Sequence, residues 1–88
     1  MVKLTIKQKV LLEAIEWFIE KNGISPTVRE LADLTHTATH PTHEKLIRLE
    51  QAGVISTING KARTIKVLKT LEEIENDEYM WLYWTSFN

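Results

Sequence analysis

The chain has 88 residues, of which 43% are hydrophobic and 26% charged, and it contains no cysteine. A chain of this length supports one small domain with little core to spare for a catalytic pocket. The lack of cysteine excludes a disulfide framework and a thiolate metal site. The formal net charge is -1, yet residues 1–69 carry all 11 basic residues against seven acids, a net +4. Residues 70–88 carry five acids and no base, so we expect a modestly basic domain, 1–69, followed by an acidic aromatic extension, 70–88.

Two helix starts are marked by capping boxes. Thr5 is followed three residues later by Gln8, and Thr27 by Glu30, the spacing at which the two side chains satisfy free backbone N–H groups. Apolar residues then recur at helical spacing, which predicts helix one from about residue 6 to 21 and a second helix of about eight residues. The apolar face predicted for helix one contains Val10, Leu11, Ala14, Ile15, Phe18 and Ile19.

The next stretch, "LTHTATHPTHEKLIRLEQAGVI", holds all three histidines of the chain and then becomes an amphipathic helix. A proline fits the first turn of a helix, where its missing N–H is not needed. We therefore predict a third helix from near His40 or Pro41 to about residue 52. Leu46 and Leu49 should point inward, and Gly53 should end the helix.

A β-hairpin is predicted after the third helix. In "VISTINGKARTIKVL", residues rich in β propensity flank Asn59 and Gly60, the pair preferred in a two-residue type I′ turn. Three helices followed by a hairpin predict a mainly α, α+β fold, the winged helix-turn-helix. In the C-terminal extension, Leu71, Ile74, Glu78 and Trp81 follow a loose helical spacing.

Four motifs follow one another along the chain. They read L-T-x-x-Q from residue 4, G-x-x-P-T-x-x-E from residue 23, G-V-I from residue 53, and G-x-x-R-x-I-x-x-L from residue 60. In this order they resemble the N-terminal DNA-binding domain of the LexA repressor family. The resemblance covers about residues 4–68. It does not extend to the protease domain of that family, and the turn before the third helix lacks the usual glycine.

The resemblance implies that the third helix enters the major groove of double-stranded DNA and reads bases with residues near its N-terminal end. These residues also lie on the face of the helix away from Leu46 and Leu49. Threonine, neutral histidine and glutamate can all bond base edges. The residues expected to read bases are Thr39, His40, Pro41, His43 and Glu44. The residues expected to contact phosphates directly or through the wing are Thr27, Arg29, Lys45, Arg48, Lys61 and Arg63.

The three histidines have two other interpretations. His36, His40 and His43 could offer three nitrogens to a metal, but no fourth ligand is evident and Pro41 interrupts the helical spacing. They could also be polar residues on a solvated turn, an alternative that is strongest for His36. We expect neither a metal nor any other cofactor.

The extension ends in a cluster of aromatic residues that would be costly to leave in water. Three destinations are possible for it: helix one of the same chain near Trp17, a second copy of the chain, or a different protein. The five acids of the extension could also compete with DNA for the basic face of the domain. The expected interface residues of the extension are Tyr79, Trp81, Leu82 and Trp84. A homodimer is the favoured alternative, because helix-turn-helix proteins commonly read two half-sites as dimers.

These features predict a cytoplasmic, sequence-specific DNA-binding transcriptional regulator of bacterial or phage type, most simply a repressor that reads a palindromic operator. The competing hypothesis is a protein-interaction module, an antirepressor or adaptor that acts through the aromatic extension. An enzyme is not expected, because no nucleophile and base arrangement, phosphate-binding glycine loop or zinc spacing is present. No apolar stretch reaches the length of a membrane span.

Overall fold

The computed structural model describes residues 3–77. Its helices and strands, in chain order, are α1 (Ile6–Asn22), α2 (Val28–Leu34), α3 (Thr39–Gln51), β1 (Ile55–Ser56), β2 (Lys66–Val67) and a helix over 71–77, here α4. The strands pair antiparallel, with Ile55 opposite Val67. The predicted fold, three helices followed by a two-stranded wing, is confirmed. No helix within the described residues is long and apolar enough to cross a membrane.

Both predicted capping boxes are formed. The Thr5 hydroxyl accepts from the Gln8 N–H at 3.1 Å, and the Gln8 side chain accepts from the Thr5 N–H at 2.9 Å. The same pair of bonds joins Thr27 and Glu30, at 3.1 and 2.8 Å. These local bonds fix where α1 and α2 begin. Gly23 ends α1 in the left-handed conformation, with φ 71°, and its N–H donates to the Ile19 carbonyl.

The core lies where α1, α2 and α3 meet above the base of the wing. Its buried apolar residues are Leu11, Leu12, Ile15, Leu31, Leu46, Leu49, Val54, Ile55, Ile65 and Ile74. One predicted core position is wrong: Val10 is 48% exposed. At about 100° per residue, Val10 lies about 100° from Leu11 and about 140° from Ile15 around the axis of α1, on the side that faces solvent.

The turn between α2 and α3 contains no glycine, and His36 supplies the left-handed residue instead, with φ 55°. A chain of threonine hydroxyls crosses this turn. Thr35 donates to the Leu31 carbonyl, Thr37 lies 2.8 Å from both Thr35 and Thr42, and Thr42 donates to the carbonyl of Ala38. Because Thr42 is fully buried, this chain joins the end of α2 to the start of α3 inside the protein.

The start of α3 differs slightly from the prediction. The helix begins at Thr39 with Ala38 as its N-cap, and Ala38 makes no side-chain capping bond. His40 is therefore already helical, and Pro41 occupies the first turn, where it blocks no intrahelical bond. The exact start could not be derived from a capping motif because none is present.

The predicted two-residue type I′ turn is wrong. That turn requires positive φ at both Asn59 and Gly60, but only Gly60 has it, at 77°. The Lys61 N–H donates to the Ile58 carbonyl at 3.2 Å, so Asn59 and Gly60 form the middle of a turn of type II character within a longer loop, 57–65. The loop is longer because the strands pair only from Ile55–Ser56 to Lys66–Val67.

The first part of the C-terminal extension packs on the domain. The Leu71 N–H donates to the Glu16 carboxylate at 3.0 Å, and Ile74 is fully buried in the core. An ion pair between Lys69 and Asp77 spans the helix. Residues 71–77 therefore share the core of residues 3–69 and lie beside α1.

Candidate nucleic-acid interface

The predicted reading surface is the exposed side of α3. Leu46, Leu49 and Thr42 face the core, which turns the opposite side of the helix outward. All five predicted base-reading residues lie on exposed positions of this helix: Thr39, His40, Pro41, His43 and Glu44. The structure therefore brings them together on one solvent-facing surface at the N-terminal end of α3.

His40 and Glu44 form a pair one helical turn apart on that surface. The His40 Nε2 lies 3.1 Å from a Glu44 carboxylate oxygen, and both side chains are largely exposed, at 82% and 64%. Such a pair on an exposed helix is weak, so it costs little to separate when either side chain turns to another partner. Both groups are thus available for hydrogen bonds to a ligand.

Ile47 is a surface residue that the sequence interpretation missed. It follows His40 and Glu44 along the same side of α3 at helical spacing, and it is 41% exposed. The signal was present, because the exposed positions of an amphipathic helix lie opposite Leu46 and Leu49. An apolar side chain there can contact a thymine methyl group.

A groove of ≈ 620 Å³ separates α3 from the wing. Its sides come from the start of α2, from α3 and from the wing loop, and they include Arg29, His43, Ile47, Ile58 and Lys61. Arg29 and Lys61 are exposed and contribute positive charge at two edges of the groove. The groove therefore places cationic side chains next to the reading surface, as a contact to a DNA strand requires.

The other predicted cations on α3 lie away from the wing. At 100° per residue, Lys45 and Arg48 fall on the opposite side of α3 from His43 and Glu50. Lys45 is half-buried and Arg48 is exposed. Cations thus flank the reading surface on both sides, with Arg29 and Lys61 across the groove.

Arg63 is positioned differently from the other predicted phosphate contacts. Its guanidinium bonds both Glu30 carboxylate oxygens, at 2.9 and 3.1 Å, and the Ser25 carbonyl at 3.1 Å. These bonds join the base of the wing to the start of α2. The backbone of Arg63 is left-handed, with φ 58°. In the free protein Arg63 therefore braces the wing.

Glu30 serves both the helix cap and this brace. Hydrogen bonds from the Thr27 backbone and then from Arg63 lower the pKa of the Glu30 carboxyl. The Thr27 hydroxyl is itself occupied as the acceptor for the Glu30 N–H. Thr27 is also half-buried, so its predicted phosphate contact would have to use groups left free by the cap.

A second contact fixes the wing to α3. Glu50 accepts hydrogen bonds from both the N–H and the hydroxyl of Thr57, at 3.2 and 3.0 Å. The Ile65 N–H donates to the Ser25 hydroxyl at 2.9 Å on the other arm of the wing. One arm is thus anchored to α3 and the other to the segment between α1 and α2, which sets the distance between wing and α3.

The remaining predictions concern metals and the extension. Within residues 3–77, no group of three or more His, Cys, Asp or Glu side chains is arranged to hold a metal ion. The four predicted interface residues of the extension, Tyr79, Trp81, Leu82 and Trp84, lie outside the described residues.

Three helices, of which the second and third are joined by a short turn, and a hairpin anchored beside the third define a winged helix-turn-helix domain. A family model described as the LexA DNA binding domain matches residues 1–64. The chain belongs to this family.

Relatives in the family are repressors of greater length. A LexA repressor of Thermotoga neapolitana is 42% identical over 72 residues, which make up 82% of this chain and 36% of that protein. A LexA repressor of Thermotoga maritima is 41% identical over 71 residues, 81% of this chain and 36% of the relative. One from Methylococcus capsulatus is 35% identical over 74 residues, 83% and 37% of the two chains. The chain thus spans little more than a third of the length of these relatives.

Proposed function

We propose that the protein is a sequence-specific double-stranded DNA-binding transcriptional repressor that acts in the cytoplasm on a palindromic operator. The observation that carries the proposal is the exposed N-terminal half of α3 with the anchored wing beside it. An α-helix fits the major groove of B-DNA, and the wing can then follow the adjacent backbone.

Base recognition is assigned to the exposed side chains of α3. Thr39 and His43 can donate to or accept from base edges, and Glu44 can accept from a cytosine amino group. His40 can do the same once it leaves Glu44. Ile47 adds an apolar contact for a thymine methyl. This set of side chains favours recognition of a DNA sequence that contains several base types, rather than binding through charge alone.

Phosphate contacts are assigned to cations around that surface. Arg48 and Lys61 are the best placed, because both are exposed and they flank the reading surface, Arg48 on α3 itself and Lys61 across the groove on the wing. Arg29 lies in the first turn of α2, where free backbone N–H groups also favour an anion. Lys45 would contribute from the same side as Arg48. Arg63 contributes indirectly by holding the wing in place.

Repression by this domain requires only that the protein occupies its DNA site in a promoter. A protein bound across a promoter blocks access to it, and a homodimer reads two half-sites with the same surface. The C-terminal extension, with Tyr79, Trp81, Leu82 and Trp84, is proposed as the source of the dimer contact.

The test is selection of duplex DNA from a randomised pool on the full chain, repeated with the variants His43→Ala and Glu44→Ala. We expect an enriched palindrome for the original chain and altered bases at defined positions for each variant. Lys21→Gln, on the outer side of α1, is the control and should select the same sequence. Failure of the full chain to enrich any sequence would refute the proposal and favour the protein-interaction alternative.

A further inference from the structure

Helix α1 is apolar on two opposite sides. Leu11, Leu12 and Ile15 face the core. Ile6, Val10 and Trp17 lie within about 40° of one another on the other side, at 100° per residue. They are 80%, 48% and 48% exposed. We call these three residues the α1 stripe.

The α1 stripe points away from the reading surface. Helix α1 contacts α2 and α3 through the side that holds its buried residues. The stripe is on the reverse side of α1, so a partner bound there leaves the exposed side of α3 free. An apolar stripe in that position is typical of an interaction site.

The described residues end in α4, which is attached to the domain beside α1. The Leu71 N–H donates to the Glu16 carboxylate, and Ile74 is buried in the core. Eleven residues follow, "EYMWLYWTSFN". We call residues 79–87 the aromatic segment, because seven of its nine residues are large and apolar or aromatic: Tyr79, Met80, Trp81, Leu82, Tyr83, Trp84 and Phe87.

We propose that the α1 stripe is the binding site for the aromatic segment of a second copy of the chain. The proposal deepens the proposed function, on which it rests for the use of a dimer at a palindrome. Each copy offers one stripe and one segment, so a two-fold axis makes both contacts at once and leaves neither surface open.

The competing occupant of the stripe is the aromatic segment of the same chain. Glu16, where α4 is attached, lies about 100° around α1 from the centre of the stripe at 100° per residue. A segment docked on its own chain leaves the protein monomeric, so the mass in solution separates the two occupants.

The apolar area available is that of a stable dimer. An aromatic side chain buries about 150–250 Å². Four such side chains from each of two copies bury about 1,200–2,000 Å², which is the range of specific protein–protein interfaces. The two stripes supply apolar partners for them.

The first test is the mass of the full chain in solution without DNA, by sedimentation equilibrium. We expect twice the 10.2 kDa of one chain. Val10→Glu buries an unpaired carboxylate in the interface and should weaken association by on the order of 100-fold. Ile24→Glu introduces the same charge at a similarly exposed apolar residue off the stripe and should leave the dimer intact. Circular dichroism of each variant checks that the helices remain.

A second test asks which surfaces meet. The Val10→Glu chain keeps its aromatic segment, and a chain with Trp81→Ser and Trp84→Ser keeps its stripe. Each alone should be monomeric, and an equimolar mixture should form a heterodimer through one intact contact. A monomeric original chain, a dimer unaffected by Val10→Glu, or no heterodimer in the mixture would each overturn the inference.

The inference and the proposed function fail separately. Binding of a selected half-site by monomeric Val10→Glu chain, in a salt-dependent manner, tests DNA recognition without the dimer. If the original chain dimerises but no variant or original chain binds duplex DNA, the interface stands and the proposed function does not. If DNA binds but the stripe variant still dimerises, only the inference fails.

Discussion

The left-handed residue between α2 and α3 gives an unusual prediction: a glycine there should stabilise the protein. His36 has φ 55°, a conformation that costs an L-residue roughly 1–2 kcal/mol relative to right-handed backbone. Glycine removes that cost but adds about 0.5–1 kcal/mol of backbone entropy to the unfolded chain. The net gain for His36→Gly is about 0.5–1 kcal/mol, which raises Tm by roughly 2–8 °C for a domain of this size.

The matched control is the same substitution four residues later. His40 is exposed like His36, but it is helical, so His40→Gly should lower stability by about 0.5 kcal/mol and also remove the weak pair with Glu44. Thermal unfolding followed by circular dichroism measures the Tm of both variants. Opposite signs for the two histidines support the assignment of strain to His36. A His36→Gly variant that melts below the original protein refutes it.

Three further predictions concern the threonine chain, the cations and Glu30. Thr42→Val should destabilise by about 1 kcal/mol in urea unfolding, because it removes a buried hydroxyl bond, whereas Thr39→Val at an exposed position should change little. Arg48→Gln and Lys61→Gln should each flatten the plot of log K against log salt by about one unit, with Lys21→Gln unchanged. The lowered pKa of Glu30 favours its carboxylate in the folded state, so its contribution is present above the ordinary value of 4.5 and is lost as pH falls through the folded value. The stability difference between the original protein and Glu30→Gln should therefore shrink on acidification from pH ~7 to pH ~3, and a constant difference contradicts the role of that carboxylate.

The elements that depend on neighbours in sequence could be predicted closely. The capping boxes of α1 and α2 join residues three apart, so the residue types alone indicate the bonds. The exposed side of α3 follows from Leu46 and Leu49 in the same way. The exposure of Ile47 could have been predicted as well, since the same spacing sets its position on the helix.

The wing could not be predicted in detail because distant residues determine it. The Asn59-Gly60 pair favours a tight turn locally. Hydrogen bonds that Arg63 and Ile65 donate to Ser25 and Glu30, however, hold the second arm of the wing in another arrangement. These contacts span more than 30 residues of sequence. The exposure of Val10 has a similar origin, since nothing in one helix reveals which of two apolar sides meets the core.

The way the wing is fixed also bears on how such a domain can change over time. Its anchors lie at Thr57 on one arm and at Arg63 and Ile65 on the other, while Gly60 at the tip has open space around it. Residues inserted between the anchors would lengthen the tip without moving α3 or disturbing the core. The stretch of DNA backbone that the protein covers and the bases it selects can therefore evolve independently, the first by loop length and the second by substitutions on one helix.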